Sequence, residues 1–539
     1  MGATDAARAH RDGWTPARAW DSGLLLVVLA TCARLVYLWL ACPYTLVEDE
    51  AHYWDWSRHP DWSYYSKGPG VAWLIGATRA MLGESEASIR TSAAIASGLG
   101  ALCAAGLARE LSGRPRAGLY GAGIFLLAPA FQVVGLLMTI DGPYLAAWAA
   151  GCWAGRRAIA RGRTIDFVLL GAALGAGFLF KYTIVLLVPG LIGAALAERS
   201  RARAGGWVLT ACVALLGLVP VVIWNASHDW ATVRHLLGHV GAPGGDAGAE
   251  RSAYSPLWTL EFVGVQLGMA GPLVLLAVYA ACWARRREDW RAARYCLWCA
   301  LPILLFYLGV TAFTEVEGNW PIAGYVPLGV LGAVGLSDAT TGARRARAEG
   351  RRVFVHRVMA WRATLWYGVV VALVLPRLDL AARIPVLAGR VPLGRVMFAD
   401  VRAADADARV RALTAETGRE VFVLALHYGR ASQLAYYMEG RPVVYCASGV
   451  TGGRRTQFDE WAFTGLRGER VLDSLRGRPA LLVGGEPEEH WEGAFERVED
   501  AGELEGETKR GRRVYIGYGF RGFGSGVDEG VGSGEETGQ

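Results

Sequence analysis

What this chain of 539 residues lacks most conspicuously is lysine: of its 55 basic residues only Lys67, Lys181 and Lys509 are lysines, and the rest are arginine. Charge as a whole is thin, 19% charged against 53% hydrophobic, which is less than a soluble chain of this size usually carries. Cysteine offers no disulfide framework, because most of the nine sit inside apolar runs as small apolar residues, and nothing pairs Cys42 with Cys446. There is no GxxxxGK(S/T) and no GxGxxG between a strand and a helix, so a nucleotide- or nucleotide-sugar-using site is unsupported. Neither a GxSxG elbow nor an HExxH pair is present, and His235 and His239, four residues apart, have no further ligand nearby. No internal repeat and no nucleic-acid signature is visible. The net charge of +6 reflects arginines between apolar blocks, which topology and anionic-lipid contact account for.

What is present is a series of long apolar blocks. Residues 22–42 are about the length needed to cross a ~30 Å hydrocarbon core and are too long for a signal-peptide core. Similar blocks follow at 86–108, 117–137, 143–160, 164–180, 182–198, 206–225, 257–283, 295–313, 320–337 and 361–376. The fold class expected is a mainly α, polytopic membrane protein of about eleven transmembrane helices, with a small α/β domain after them. With the N-terminus in the cytoplasm, alternate loops collect roughly 25 basic residues and the opposite loops about six. This orientation puts the segment after residue 376 on the outer, non-cytoplasmic side.

The expected organisation is a cytoplasmic tail over 1–20, a transmembrane module over 21–376, an outer α/β domain over 377–520 and a disordered tail over 521–539. Within the module, 43–85 is a long first outer loop whose aromatic and charged residues read as amphipathic helices lying in the interface. In the outer domain the runs 421–426, 442–447, 479–484 and 513–519 read as short buried strands, with helical patterns at 403–417 and 430–439. The tail is rich in Gly and Glu and has little to bury.

The polar groups at the outer face carry the chemistry. Glu48, Asp49 and Glu50 are consecutive carboxylates beside a low-dielectric boundary, expensive unless solvated, paired or functional. Tyr53, Trp54, Trp56, Trp62, Tyr64 and Tyr65 form either an interfacial belt or stacking platforms for a ligand such as a sugar. Lys67, in SKGPG, and Lys181, in FKYT, fall at the same face. Each is either snorkelling to the interface or meeting an anionic partner such as a lipid phosphate. Asp141, in TIDGPYL, suits both turn chemistry with an N-cap and a carboxylate poised at the surface. Glu317 and Asn319, in TEVEGNWP, open the tenth block on that face.

The segment EDEAHYWDWSRHPDWSYYSKGPGVAWLI resembles the bacterial family-39 type glycosyltransferases. These are GT-C membrane enzymes related to the protein O-mannosyltransferases and to the aminoarabinose transferase of lipid A. The resemblance runs on through TIDGPYL, GFLFKYT, VEGNWPIAGYVPL, HYGRASQLAYYMEGRPVVYC and RRTQFDEW. It implies transfer of one sugar from a polyprenyl-phosphate carrier to a lipid, glycan or protein acceptor. By residue, it implies Asp49 as catalytic base with Glu50 beside it, Lys67 on the carrier phosphate, and Asp141 as the second carboxylate. His52 stands where the aminoarabinose transferases carry an arginine, so its phosphate contacts differ from theirs. Ser66 stands where they carry a carboxylate able to hold a metal, and no metal or other cofactor is assigned.

The residues support this chemistry in their own right. Negative charge grows on the carrier phosphate as the glycosidic bond breaks, and Lys67, Lys181, Arg58 and His52 are the candidate groups to meet it. A carboxylate must take the acceptor's proton, with Asp49 the first choice and Asp141 the second. Tyr53, Trp56, Tyr65, Glu317 and Asn319 are the candidate sugar and acceptor contacts. A single displacement inverts the anomeric centre. The rival readings are a transporter or flippase of polyprenyl-linked sugar, which calls for repeats and midplane polar groups, and a non-catalytic membrane scaffold with an outer interaction domain.

Overall fold

The computed structural model describes residues 16–200, 202–239, 245, 255–282, 287–348, 355–387, 389–507 and 512–523. Lys509, the loop positions 241–244, Arg285 and Arg286, and nearly all of the two expected tails lie outside the described residues.

A bilayer offers no partner for a backbone N–H or C=O, so apolar blocks satisfy themselves as helices. The helices are α1 (Pro16–Leu40), α2 (Glu48–Arg58), α3 (Gly70–Leu82), α4 (Glu86–Ser112), α5 (Pro115–Leu127), α6 (Pro129–Val134), α7 (Asp141–Arg161), α8 (Thr164–Phe180) and α9 (Leu187–Ala197). They continue with α10 (Ala204–Leu215), α11 (Val219–Ser227), α12 (Ala231–His239), α13 (Pro256–Ala270), α14 (Pro272–Cys282), α15 (Arg287–Val310), α16 (Tyr325–Ala348) and α17 (Val355–Val374). Four helices among the described residues are long and apolar enough to cross a membrane, or five if α10 and α11, bent by 45°, make one span. The other apolar blocks are covered by shorter or interrupted helices. Pro129 starts α6 directly after α5, and Gly271 (φ 57°) and Pro272 divide α13 from α14.

Leu25, Leu29 and Leu40 on α1 and Leu260 on α13 stand exposed, the reverse of a water-soluble surface. Inside the bundle α4 packs through alanines, among them Ala93, Ala101, Ala104 and Ala108, which let neighbouring backbones approach closely.

Beyond the bundle, α18 (Ala399–Thr417) and α19 (Tyr428–Tyr437) flank a five-stranded sheet of β1 (Phe422–Ala425), β2 (Val444–Cys446), β3 (Ala480–Val483), β4 (Phe495–Glu503) and β5 (Arg513–Phe520). Its order is β2-β1-β3-β5-β4, with β1 parallel to β2 and β3, β5 antiparallel to β3, and β4 antiparallel to β5. This α/β unit sits on α2. Gln433 donates to the carbonyl of Leu46 (2.8 Å), and the amide of Leu46 donates to the Tyr437 hydroxyl (2.6 Å). Every residue of α2 from Glu50 to Ser57 is buried, so the helix is enclosed by protein rather than lying in a lipid interface.

Candidate active site

Glu50 fixes the start of α2. Its carboxylate is fully buried, pairs with Arg90 (2.9 and 2.6 Å), and accepts from the amides of Met138 (2.7 Å) and Val47 (3.1 Å). One side chain thus ties α2 to α4 and to the turn before α7, which places Asp49 and Asp141 relative to each other. The sequence expectation put Glu50 among the reacting groups, but with its acceptor positions engaged and no exposure it is an anchor.

The closing segment 66–70 is held as tightly. Tyr64 stacks on Trp56 (ring centroids 4.3 Å), its hydroxyl sits between the carbonyls of Trp56 (3.0 Å) and His59 (3.1 Å), and its amide donates to the Lys67 carbonyl (3.1 Å). A side chain at Gly68 would come within 2.4 Å of the carbonyl oxygen of Leu179. Glycine is required for this segment to lie against the last turn of α8, and that contact sets Lys67 beside Lys181.

Asp141 is a paired carboxylate. Lys181 Nζ donates to one oxygen (2.9 Å) and Asn319 Nδ2 to the other (2.8 Å), with Lys181 also 5.5 Å over the Tyr144 ring. Asp49 and Lys67 differ from it: among the described residues neither forms an ion pair. The Asp49 carboxylate accepts a hydrogen bond from the Tyr428 hydroxyl (3.0 Å). Asp49, at the start of α2, is exposed to solvent although protein surrounds it closely. Lost hydration raises its pKa, opposed by the Tyr428 hydrogen bond and by Lys67. Lost hydration also brings Lys67 down to about 8, helped by Lys181 and Arg454 and opposed by Asp49 and Asp141. Asp49, Asp141, Lys181 and Arg454 thus all lie close enough for their charges to act on Lys67, which sets a basic carboxylate near an ammonium able to take an anion.

Several expected residues face elsewhere. His52 accepts from the Trp56 indole at Nε2 (3.1 Å), so its Nδ1 is the protonated nitrogen facing Ser432 (3.1 Å). Burial pushes its pKa down to about 3, and a neutral, enclosed imidazole is no phosphate ligand. Trp56 is 1% exposed and Tyr65 2%, both packed as core rather than presented for stacking. Tyr53 is also buried but lies close enough to feel the charges of Asp49 and Asp141. Arg58 covers the Trp54 ring (4.8 Å) and faces Asp55 (3.6 Å). Glu317 is exposed and offers its carbonyl to the Trp320 amide (3.1 Å), whereas Asn319 two residues on reaches the site.

Two site groups were missed as such. Tyr428 and Arg454 stand in stretches quoted for the resemblance, but 379 residues separate Tyr428 from Asp49 and no local pattern predicts the contact. Arg454 lies 2.7 Å from His235 Nε2, which must accept from a guanidinium that can only donate.

Residues 66–224 match the family model described as dolichyl-phosphate-mannose-protein mannosyltransferase. The chain is 29% identical over 312 residues to the lipid A galacturonosyltransferase RgtD of Rhizobium johnstonii, covering 57% of this chain and 63% of that one. It is 28% identical over 262 residues to undecaprenyl phosphate-alpha-4-amino-4-deoxy-L-arabinose arabinosyl transferase 1 of Pseudomonas fluorescens, covering 46% of each. The chain therefore spans less than two thirds of the length of either relative. The crystal structure of apo ArnT from Cupriavidus metallidurans superposes with a TM-score of 0.60 at 17% identity, over 93% of this chain and 98% of that one. The same protein bound to undecaprenyl phosphate gives 0.57 at 16% identity, over 91% and 97%. The resemblance read in the sequence stands, and over most of its length this chain carries the fold seen in ArnT.

Proposed function

We propose that this chain is a membrane glycosyltransferase that moves one sugar from a polyprenyl-phosphate carrier to a lipid, glycan or protein acceptor, by inverting single displacement. The observation that carries the reading is the closeness of Asp49 and Lys67, which among the described residues form no ion pair, to each other and to the locked Asp141–Lys181–Asn319 group. The names of the relatives supply the substrate class: lipid A as acceptor for one, an undecaprenyl-phosphate sugar as donor for the other.

In this reading Lys67, with Arg454 close by, meets the charge that grows on the carrier phosphate, in a space where water screens it little. Asp49 takes the proton of the attacking acceptor hydroxyl; its raised pKa makes it a stronger base than an exposed carboxylate. Asp141 orients Lys181 and Asn319. About eleven spans place the arginine-rich ends in the cytoplasm, and the α/β unit over 377–520 and the site on the periplasmic side.

The test is reconstitution in vesicles with undecaprenyl-phosphate-linked galacturonic acid or aminoarabinose and lipid A. Sugar appearing on lipid A with release of undecaprenyl phosphate is the expected result. Movement of the labelled lipid across the bilayer with no transfer would overturn it in favour of a transporter.

A further inference from the structure

The α/β unit reaches the reacting end of the bundle through one helix, and its first turn does two things. The His427 ring accepts from the Gly429 amide (3.2 Å) and so caps α19, which aims Tyr428 at α2. Gly429 lies so close to Glu48 that a Cβ there would fall 2.4 Å from the Cβ of Glu48. The Tyr428 ring is wedged between His427 (4.4 Å) and His52 (4.6 Å), and His52 is itself fixed by Ser432 of the same helix. The hydroxyl that this packing immobilises donates to Asp49 Oδ1 at 3.0 Å. The bundle anchors the neighbouring Glu50 through Arg90, whereas among the described residues the hydrogen bond shown for the Asp49 side chain comes from Tyr428.

We infer that Tyr428, supplied by the α/β unit, is a positioning residue for Asp49: it holds the carboxylate in one orientation, so that the unit is part of the active site. The inference rests on the proposed role of Asp49. A tyrosine suits the task because it is a neutral donor that stabilises the carboxylate without neutralising it, as an arginine would. On this account the paired charges of the site (Asp141, Lys181) come from the bundle, whereas the reactive carboxylate is set by a segment far along the chain.

Affinity for undecaprenyl phosphate against pH, for the purified full chain, tests this without knowledge of the sugar. Protonating Asp49 removes a negative charge near Lys67, so binding tightens as pH falls through the Asp49 pKa. Asp49→Asn removes that inflection. Tyr428→Phe keeps the ring and its packing but loses the donor, and moves the inflection upward by about one pH unit. Gly429→Ala, which pushes the α/β unit off Glu48 while leaving the hydroxyl in place, moves it the same way and serves if the phenylalanine variant does not fold. An inflection unmoved in a folded variant of either kind overturns the inference, as does an Asp49→Asn curve identical to wild type. Sugar transfer by Asp49→Asn is a separate reading. Full turnover there would sink the assignment of Asp49 as base, whereas no turnover combined with an unmoved Tyr428→Phe inflection would sink only the role of Tyr428.

Discussion

The two ends of the helix bundle use charge in opposite ways. At the arginine-rich end, carboxylates are matched by guanidinium groups: Arg156 with Glu198 (2.5 Å), Arg157 with Asp166 (2.7 Å), Arg114 with Asp338 (3.3 Å) and Arg161 with Glu110. At the other end Glu50 with Arg90 and Asp141 with Lys181 pair in the same manner, but among the described residues Asp49 and Lys67 beside them form no ion pair. Holding a charge near protein without an ionic partner costs stability, so a fold that keeps one of each sign this way is holding them for something else. Both described lysines, Lys67 and Lys181, stand at this end beside arginines such as Arg90, and the choice of lysine matters. An ammonium is a compact point charge whose pKa shifts on burial, whereas a guanidinium stays charged and locks a carboxylate in a fork.

If the unpaired charges do the chemistry, Asp49→Asn should lower transfer by about a thousandfold, within the range for losing a positioned base, while donor binding survives. Transfer within tenfold of wild type would erase the distinction between the two ends. Asp141→Asn should act on stability first. It strands Lys181 in a site where the two side chains are 10% and 4% exposed, at a cost of about 3 kcal/mol, visible as a lower melting temperature in detergent. Lys67→Ala should weaken undecaprenyl phosphate binding by about tenfold or more, the loss of one charge-assisted contact. In the wild type the ammonium form binds the phosphate, so affinity should fall as pH rises through about 8. The alanine variant should lack that fall, as titration of the lipid in each protein would show. The smallest effect belongs to the far end: Arg161→Ala opens a pair that is 39% and 19% exposed and should change stability by less than about 1 kcal/mol, with transfer untouched.

Much of the architecture was legible in the sequence because hydropathy marks apolar blocks directly. Helix or broken helix covers each block from 22–42 to 361–376. The breaks were less legible, since Pro129 and Gly271–Pro272 interrupt runs that composition alone reads as continuous. The 13-residue α3 was folded into the expected outer loop, being shorter than a span. In the α/β unit four of the five strands fall on the expected runs. β4 was missed because FERVEDAGE is mostly exposed on both faces of an edge strand, which removes the alternation that signals a strand.

In the site, scarce charge was a good guide. Asp49, Lys67, Asp141 and Lys181 were picked out by type and position, and they converge. Glu50, His52, Trp56 and Tyr65 were misjudged for one physical reason. Which face of the short helix α2 and its following segment is open depends on what packs against it, and the partners come from α4, from α12 and from the α/β unit. Arg90, His235, Ser432 and Gln457 claim those side chains or their backbone, and none is near in sequence.

The central claim is that positions 49 and 67 share one cavity on one side of the membrane and close on a polyprenyl phosphate. Single cysteines placed at these positions, in a chain whose nine native cysteines are replaced, can be labelled with a membrane-impermeant maleimide in sealed vesicles of known orientation. Both should react from the side opposite the arginine-rich loops, and undecaprenyl phosphate should protect both. Labelling from opposite sides, or labelling that the lipid leaves unchanged at both positions, would contradict it.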